Sequence, residues 1–377
     1  MSGTSLDGID VALLKTDGGD AVERGPSRTY PYRPEQQALL QEALAEARTM
    51  TQRNARTGIL AKAERELTDW HGEAVERFCD ETGVTLSEID IIGFHGQTVI
   101  HRPEIRLTVQ LGDGQALARR TRCPVVYDMR AADVAAGGQG APLVPVYHRA
   151  LAAGLDTRPV AFVNIGGVAN MTWIGRDGSL VAFDTGPGNA LLNDWCERHT
   201  DIPYDRDGAL AAKGILNGPA FMSLATSPYF EKPVPKSLDR NGFDVSVLAG
   251  VSPEDGATTL THFTATSIAR GVGHVPERPA LYVICGGGRL NPTLMKIIKG
   301  LLEPLGERVI VAEQAGFDGD AMEAEAWAYL AVRRMKGLSI SFPGTTGAPQ
   351  PMLGGMVAGP IGSDNFLSPL CAGRSGE

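Results

Sequence analysis

Residues 162–189 read FVNIGGVANMTWIGRDGSLVAFDTGPGN. Three short runs rich in β-branched and aromatic residues, 162–165, 170–174 and 180–183, are separated by Gly166-Gly167 and by Gly175-Arg176-Asp177-Gly178. Glycine-bearing turns between such runs predict an antiparallel three-strand meander, a unit that must lie within a larger sheet to bury its apolar face. The third strand is expected to end on Asp184, ahead of Thr185-Gly186-Pro187-Gly188-Asn189 and a helix over 190–199. A carboxylate at a strand end, beside a glycine-rich loop that opens a helix, is where enzymes hold a general base against a bound substrate. The same residue also serves as a plain turn cap. The remainder of the chain decides between the two.

Upstream, MSGTSLDGID forms a polar, glycine-bearing turn entering a strand at 11–15. Turns of this kind expose backbone N–H groups and hydroxyls to phosphate oxygens, and they also occur with no ligand at all. Residues 34–50 and 56–82 have apolar positions at helical spacing and charge pairs four apart, which predicts two helices with solvated faces. A short buried strand over 91–94 leads to His95, either a ligand contact or a hydrogen-bonded structural residue. Strands over 107–111 and 124–127 flank a helix over 114–122 and complete an alternating α/β domain. Residues 128–142, DMRAADVAAGGQGAP, place Arg130 and Asp133 among glycines and small residues, as a hinge, a cleft lining or a plain linker.

Beyond the meander, a helix is expected over 209–216, an irregular proline-rich crossing over 228–239 and a helix over 255–270. A strand over 280–284 then runs into Cys285-Gly286-Gly287-Gly288 and a helix over 293–302. Strand, three glycines and helix N-terminus make a ligand-binding unit. The spacing is not GxGxxG and no acidic residue follows at ribose distance, so a dinucleotide fold is disfavoured. A strand over 309–311 and a strong helix over 321–334 follow. Its apolar stripe reads as core, and Glu323 near its start suits the helix dipole. From Pro343 the chain reads as loop.

At 377 residues the chain exceeds one ordinary core. The expected division is 1–140 with about 335–377 as a first domain and 141–334 as a second. A formal net charge of −9 argues against nucleic-acid and anionic-membrane partners. Five scattered cysteines with no CxxC pair suit a reducing compartment and form neither a disulfide framework nor a zinc site. No apolar run reaches membrane-spanning length and no secretory leader is evident, so a cytoplasmic location is expected.

Each half has a glycine-bearing turn near its start, and each then runs into helices and further strands. Two such hairpins facing each other across a central cleft would hold a polyphosphate from both sides, with the Gly286–288 loop at the adenine and ribose end. This is the plan of a two-domain, actin-like (ribonuclease H-like) α/β ATPase, in which phosphoryl transfer needs positioning and charge neutralisation. An acidic chain can bind ATP in this way, because backbone N–H groups and Mg²⁺ supply the positive field.

The segments SGTSLDGID, GFHGQT, DMRAADVAAGGQGAPLVP, NIGGVANMT, FDTGPGN, CGGG with its Asn-Pro, DAMEAEAWAYLA and SFPGTTGAPQPMLGG occur in order along essentially the whole chain. Together they resemble the anhydro-N-acetylmuramic acid kinases of bacterial cell-wall recycling. The resemblance implies the actin-like fold and a reaction in which ATP and water convert 1,6-anhydro-N-acetylmuramic acid to N-acetylmuramic acid 6-phosphate. It implies Asp184 as general base toward the water. Gly3, Thr4, Ser5, Leu6, Asp7, Gly8, Ile9 and Asp10 would line the ATP phosphates, with Asp7 or Asp10 near Mg²⁺. Gly166, Gly167 and Asn170 would form the second phosphate turn, and Gly286, Gly287 and Gly288 the nucleoside loop. His95, Arg130, Asp133 and Glu323 are the candidates for the sugar, with the Arg130 guanidinium suited to the lactyl carboxylate.

The expected partner is a small amino sugar, with no nucleic acid and no membrane, and a homodimer stands open beside a monomer. Members of that family carry a strand ahead of the MSGTSLDG turn, whereas Met1 is here the Met of that turn. Either the start lies upstream or the first sheet is one strand short, which would leave neighbouring backbone groups unpaired. Two other readings remain open, a kinase of an ordinary sugar hydroxyl and a non-catalytic actin-like ATP-binding protein. A metal-independent glycosidase using Asp184 and Glu323 is a third.

Overall fold

The structure is a computed structural model that describes residues 1–3, 6–240 and 242–360. It is mixed α/β and divides into two compact units, Met1–Ala153 with the residues from Ala321 onward, and Gly154–Asp320. The boundaries therefore fall later and earlier than expected. Helices α5 (Pro145–Ala153) and α10 (Met322–Met335) belong to the first unit. They do so because α10 packs on the strands of that unit, and the buried Glu325 carboxylate accepts a 2.7 Å hydrogen bond from Tyr147 on α5.

In the first unit, β1 (Gly8–Thr16) pairs antiparallel with β2 (Val22–Pro31). Sequence reasoning missed β2 because Gly25 and Pro26 interrupt it. The register slips between Ala12 and Leu14, so Gly25-Pro26 sit at a bulge on an edge strand, where a missing N–H is tolerated. Helices α1 (Pro34–Ala47) and α2 (Gly58–Thr82) follow as predicted, and α2 stops at Gly83 in the left-handed region (φ 73°). Strand β3 (Ile92–Phe94) runs parallel to β6 (Val125–Tyr127), and β6 pairs antiparallel with β12 (Met356–Ala358), a strand in the segment read as loop. The hairpin of β4 (Gln97–Arg102) and β5 (Leu107–Leu111) precedes α3 (Gly114–Thr121), whose first turn is capped by the Asp113 carboxylate accepting from Ala116 N–H. Residues 128–142 hold a short helix, α4 (Ala131–Ala135), and another, α11 (Pro343–Thr346), lies near the end.

On its other side β1 is bridged only by Met1 and Ser2, which meet Asp10 and Ile9. Past Asp10 no further strand pairs with it among the described residues. That face of β1, together with β3, α2 and α10, walls a cavity of about 460 Å³.

The second unit is built on a five-stranded sheet in the order β11-β10-β7-β8-β9. The meander is present as β7 (Val160–Ile165), β8 (Val168–Ile174) and β9 (Leu180–Pro187). Parallel strands β10 (Leu281–Cys285) and β11 (Arg308–Val311) extend it beyond β7. Helices α8 (Pro253–Arg270) and α9 (Pro292–Leu302) cover one face, burying Val163, Ile165, Met171, Phe183 and Ile284 against Ile268, Leu294 and Ile298. Asn291 caps α9 by accepting from Leu294 N–H, with Pro292 in the first turn. Helices α6 (Ala190–His199) and α7 (Gly218–Ala225) pack with α8 around Trp195, Phe230 and Phe263.

The helix expected at 209–216 is absent; two 3₁₀ turns, Arg206–Gly208 and Ala211–Lys213, stand there instead. Asp207 and Gly208 adopt positive φ, and the Asp205 carboxylate takes the N–H groups of Leu210 and Ala211, which fixes a turn and stops a helix from propagating. No helix among the described residues is long and apolar enough to cross a membrane. The four described cysteines are buried and form no disulfide with one another.

Candidate active site

In the first unit, residues 6–8 at the entry to β1 are anchored from several sides. Leu6 has φ 57°, its carbonyl accepts from Gln37 Nε2 at 2.9 Å, and the Asp7 carbonyl accepts from Tyr32 N–H at 3.0 Å. Gly8 and Ile9 are buried at the start of β1. A Cβ on Gly8 would stand 2.6 Å from the Tyr30 carbonyl oxygen, so glycine is required there by packing. Thr4 and Ser5 lie outside the described residues. Asp7 is exposed; Asp10 accepts from the Thr29 hydroxyl at 2.6 Å.

His95 links this turn to Arg130. Its Nδ1 lies 2.9 Å from the Ser2 carbonyl oxygen and 2.6 Å from that of Gly96, which assigns the ring proton to Nδ1. Nε2 is then the acceptor for Arg130 Nη2 at 3.2 Å. Burial first, and the neighbouring guanidinium second, hold the imidazole well below its ordinary pKa, so it is neutral. Arg130 also donates to the Gly140 carbonyl at 2.9 Å and lies over the Trp327 ring, 5.1 Å from its centroid. Burial lowers its pKa to about 10, against the pull of Glu323 and Asp133. Glu323 keeps solvent contact on the first turn of α10, yet the protein around it raises its pKa; Arg130 opposes that rise, and Asp10 and Asp7 add to it.

Asp133 differs from the other three sugar candidates. It is 1% exposed, and its carboxylate accepts from Gly140 N–H at 2.6 Å, from Thr346 Oγ1 at 2.6 Å and from Ser341 Oγ. Its oxygens are consumed in fastening the 133–140 loop to residues 341–346. This is the geometry of an internal knot, set apart from the sugar role expected of Asp133.

In the second unit, Asp184 lies inside β9 rather than at its end. The register slips between Ala169 and Asn170, so Asn170 faces Asp184 while Ala169 faces Gly186, and Thr185 is the extra residue of a bulge. Bulges of this kind re-aim a side chain at a functional edge. Asn164 faces Asn170 across the next ladder, and Cys285 faces Asn164. Asp184 therefore ends a polar row that also holds Asn164 and Asn170. The Asp184 carboxylate accepts from Leu238 N–H at 2.8 Å, and burial, outweighing that bond, raises its pKa from 3.8 to about 6. A carboxylate so poised takes a proton near neutrality.

The glycines of this unit fall into two groups. A Cβ on Gly188 would stand 2.2 Å from the Gly166 carbonyl oxygen; one on Gly286 (φ 71°) would meet Asn164 at 2.2 Å, and one on Gly288 would meet Ile165 at 2.3 Å. Gly166, Gly167 and Gly287 have nothing nearer than 3.6 Å. The oxygens of Gly166 and Gly167 accept from the amides of Gly188, Asn189 and Ala190, which docks the β7–β8 turn on the start of α6. Beside Gly287 lies a cavity of about 510 Å³, walled by Asn189, Asn193, Tyr204, Arg206, Leu290 and Asn291 among others. That volume is in the range of a small-molecule site.

The structure thus gathers Gly3, residues 6–10, His95, Arg130 and Glu323 in the first unit. It gathers Gly166, Gly167, Asn170, Asp184 and Gly286–288 in the second. Sequence reasoning missed Trp327, which read as core, and Asn164, whose only signal is an amide inside an apolar strand. It also missed Tyr229, Lys236 and Leu238, the segment that holds Asp184.

Glycine turns without internal packing demands and a carboxylate of raised pKa are the equipment of an enzyme that transfers phosphoryl groups with general-base help. The model of the family described as anhydro-N-acetylmuramic acid kinase matches residues 1–359. Proteins named anhydro-N-acetylmuramic acid kinase from Agrobacterium fabrum and Rhizobium etli are 50% and 52% identical to the chain, over 95% and 96% of it and 96% and 97% of their own lengths. One from Rhodopseudomonas palustris is 53% identical over 96% of the chain and 98% of its own length. The chain belongs to the anhydro-N-acetylmuramic acid kinase family. Among solved structures, the activator of the 2-hydroxyisocaproyl-CoA dehydratase from Clostridium difficile with bound ADPNP is similar over 86% of this chain and 94% of its own. Its TM-score is 0.40 at 11% identity, a likeness that carries no argument.

Proposed function

We propose that the protein uses ATP and water to convert 1,6-anhydro-N-acetylmuramic acid into N-acetylmuramic acid 6-phosphate, a step of peptidoglycan recycling. The observation that carries this reading is the family match across residues 1–359. The anhydro bridge occupies O6, so the sugar has no free 6-hydroxyl to phosphorylate. Water adds to C1, the C1–O6 bond breaks, O6 takes the γ-phosphoryl group and ADP leaves. Asp184 accepts the proton of the water, a role favoured by its partial burial and by a pKa raised to about 6.

The remaining roles divide by unit. In the first unit Gly3 and residues 6–10 suit phosphate oxygens; in the second, taken by itself, the turn of Gly166, Gly167 and Asn170 does too, and at Gly166 and Gly167 there is room for a ligand to approach the backbone. Gly286–288 and the 510 Å³ cavity beside them suit the nucleoside. Among the described residues no carboxylate pairs with Arg130, whose guanidinium is held by His95, Gly140 and Trp327, and this suits the lactyl carboxylate. Glu323 stands close enough to feel that guanidinium and is the second sugar contact.

The acids of the first unit fit Mg²⁺. Burial raises the pKa of Glu323, and Asp10 and Asp7 add to that rise while Arg130 and the N-terminal ammonium oppose it, so a cation carried by ATP would ease the repulsion at Glu323. A metal carried by ATP is held mainly by its phosphates and one or two carboxylates, here Asp10 or Asp7. Such an ion would neutralise charge on the transferring phosphoryl group.

Incubation with ATP, Mg²⁺, the anhydro sugar and ¹⁸O-water tests the proposal. Label on the anomeric hydroxyl with phosphate on O6 is the expected product. Phosphorylation of free N-acetylmuramic acid in preference to the anhydro form would replace this reading with an ordinary hydroxyl kinase. Ring opening without ATP would replace it with a glycosidase.

A further inference from the structure

Asp184 is gripped at three points, and all three grips come from one irregular segment. Tyr229 Oη donates to the Asp184 carbonyl at 2.6 Å, Asp184 N–H donates to the Lys236 carbonyl at 3.0 Å, and Leu238 N–H donates to the carboxylate at 2.8 Å. A proline-rich stretch from 228 to 239, with only one 3₁₀ turn at Pro228–Glu231, has no ladder of its own to keep it in place. What closes it is Lys236. The side chain is 8% exposed, and its ammonium donates to the carbonyls of Tyr229 and Phe230, each at 3.2 Å, and lies 3.0 Å from His274 Nε2. It also stands 4.8 Å from the centroid of the Tyr229 ring.

The lysine therefore ties the far end of the segment to the near end, forming a closed strap across Asp184. No carboxylate lies within ion-pair distance of it among the described residues. Its charge is spent on backbone oxygens that a chain in this conformation would otherwise leave poorly paired.

Resting on the reading of Asp184 as the base, we propose that Lys236 and Tyr229 are positioning residues for that base. They hold the strap so that Leu238 N–H stays on the carboxylate and aims its other oxygen at the water. The bond from Leu238 favours the ionised form of Asp184, so loosening the strap makes the base harder to ionise as well as less well aimed. The charged groups facing Lys236 are Glu231, Lys232 and Arg270, with His274 beside its ammonium. None of them touches Asp184 in the hydrogen bonds described above.

The test uses Tyr229→Phe and Lys236→Met in the full chain, with kcat/KM for the sugar followed from pH 5 to 9. Each variant is expected to lose roughly 10–100-fold in kcat, a size typical of a misplaced reacting group. KM for ATP should hold, and the acid limb of kcat/KM should move to higher pH by about half a unit or more, as expected when a bond to the ionised form is lost. A role limited to folding would scale activity equally at every pH and leave that limb where it is. An unmoved limb in Tyr229→Phe, which removes a single oxygen, overturns the proposal even if Lys236→Met fails to fold. Asp184→Asn run alongside separates the two readings: activity surviving in that variant removes the base itself, whereas its loss with an unmoved limb in Tyr229→Phe removes only the strap.

Discussion

Replacing Asp184 with asparagine should abolish turnover and make the protein more stable, and the second effect should depend on pH. The folded-state pKa of Asp184 is about 6 against an ordinary 3.8, because burial penalises the charged form more than the Leu238 N–H favours it. Between those two values the folded protein holds a proton that the unfolded chain has released, so stability falls as pH rises through the interval. Above pH 6 the carboxylate is charged in both states and the full penalty applies. Two pH units at about 1.4 kcal/mol each give about 3 kcal/mol as an upper limit. The residue keeps some solvent contact, so about 1–3 kcal/mol is the expected gain at pH 8.

The amide in Asp184→Asn still offers an oxygen to Leu238 N–H and carries no charge at any pH. Urea unfolding of both proteins at pH 8, 6 and 4.5 should show the variant more stable at pH 8, with the difference shrinking toward zero at the acid end. Turnover should fall by at least about 10²–10⁴-fold, the usual contribution of a positioned base. A variant no more stable than the parent at pH 8, or a difference that ignores pH, would refute the claim that burial perturbs this carboxylate.

Three further outcomes follow from the packing. Gly188→Ala should cost at least about 1–3 kcal/mol, because a Cβ there stands 2.2 Å from the Gly166 oxygen; Gly166→Ala should melt close to the parent and bind ATP more weakly, a contrast that calorimetry resolves. Asp133→Ala leaves the amide of Gly140 and the hydroxyls of Ser341 and Thr346 without their acceptor, so thermal unfolding should show a loss of about 2–5 kcal/mol. Arg130→Ala should raise KM for the anhydro sugar by about 10-fold or more while KM for ATP stays within twofold; an unchanged sugar KM would release Arg130 from the carboxylate role.

Much of the scaffold was legible because its signals are local. The meander at 160–187 follows from alternating apolar runs punctuated by glycine turns, and α6, α8, α9 and α10 follow from helical spacing. Strand β2 was hidden because its Gly25-Pro26 breakers are absorbed by a bulge that only the partner strand reveals. The helix expected over 209–216 was lost to Asp205, a side chain that captures two amides the helix would need.

The candidate site divides along the same line. Residue type and order raised Asp184, His95, Arg130 and the glycine turns as candidates, and the family resemblance gave them and Glu323 their expected roles, because the chemistry of a base, a cation and a backbone cradle is written in those side chains or in their lack. What surrounds each group was set by chain segments far apart in sequence. Asp133 became a buried knot through Ser341 and Thr346, more than two hundred residues away. Asp184 gained its raised pKa from burial and its orientation from a strap that begins at Tyr229. Solvation, hydrogen-bond partners and neighbouring charge belong to the folded surroundings, and those three decide whether a given aspartate holds a loop together or takes a proton.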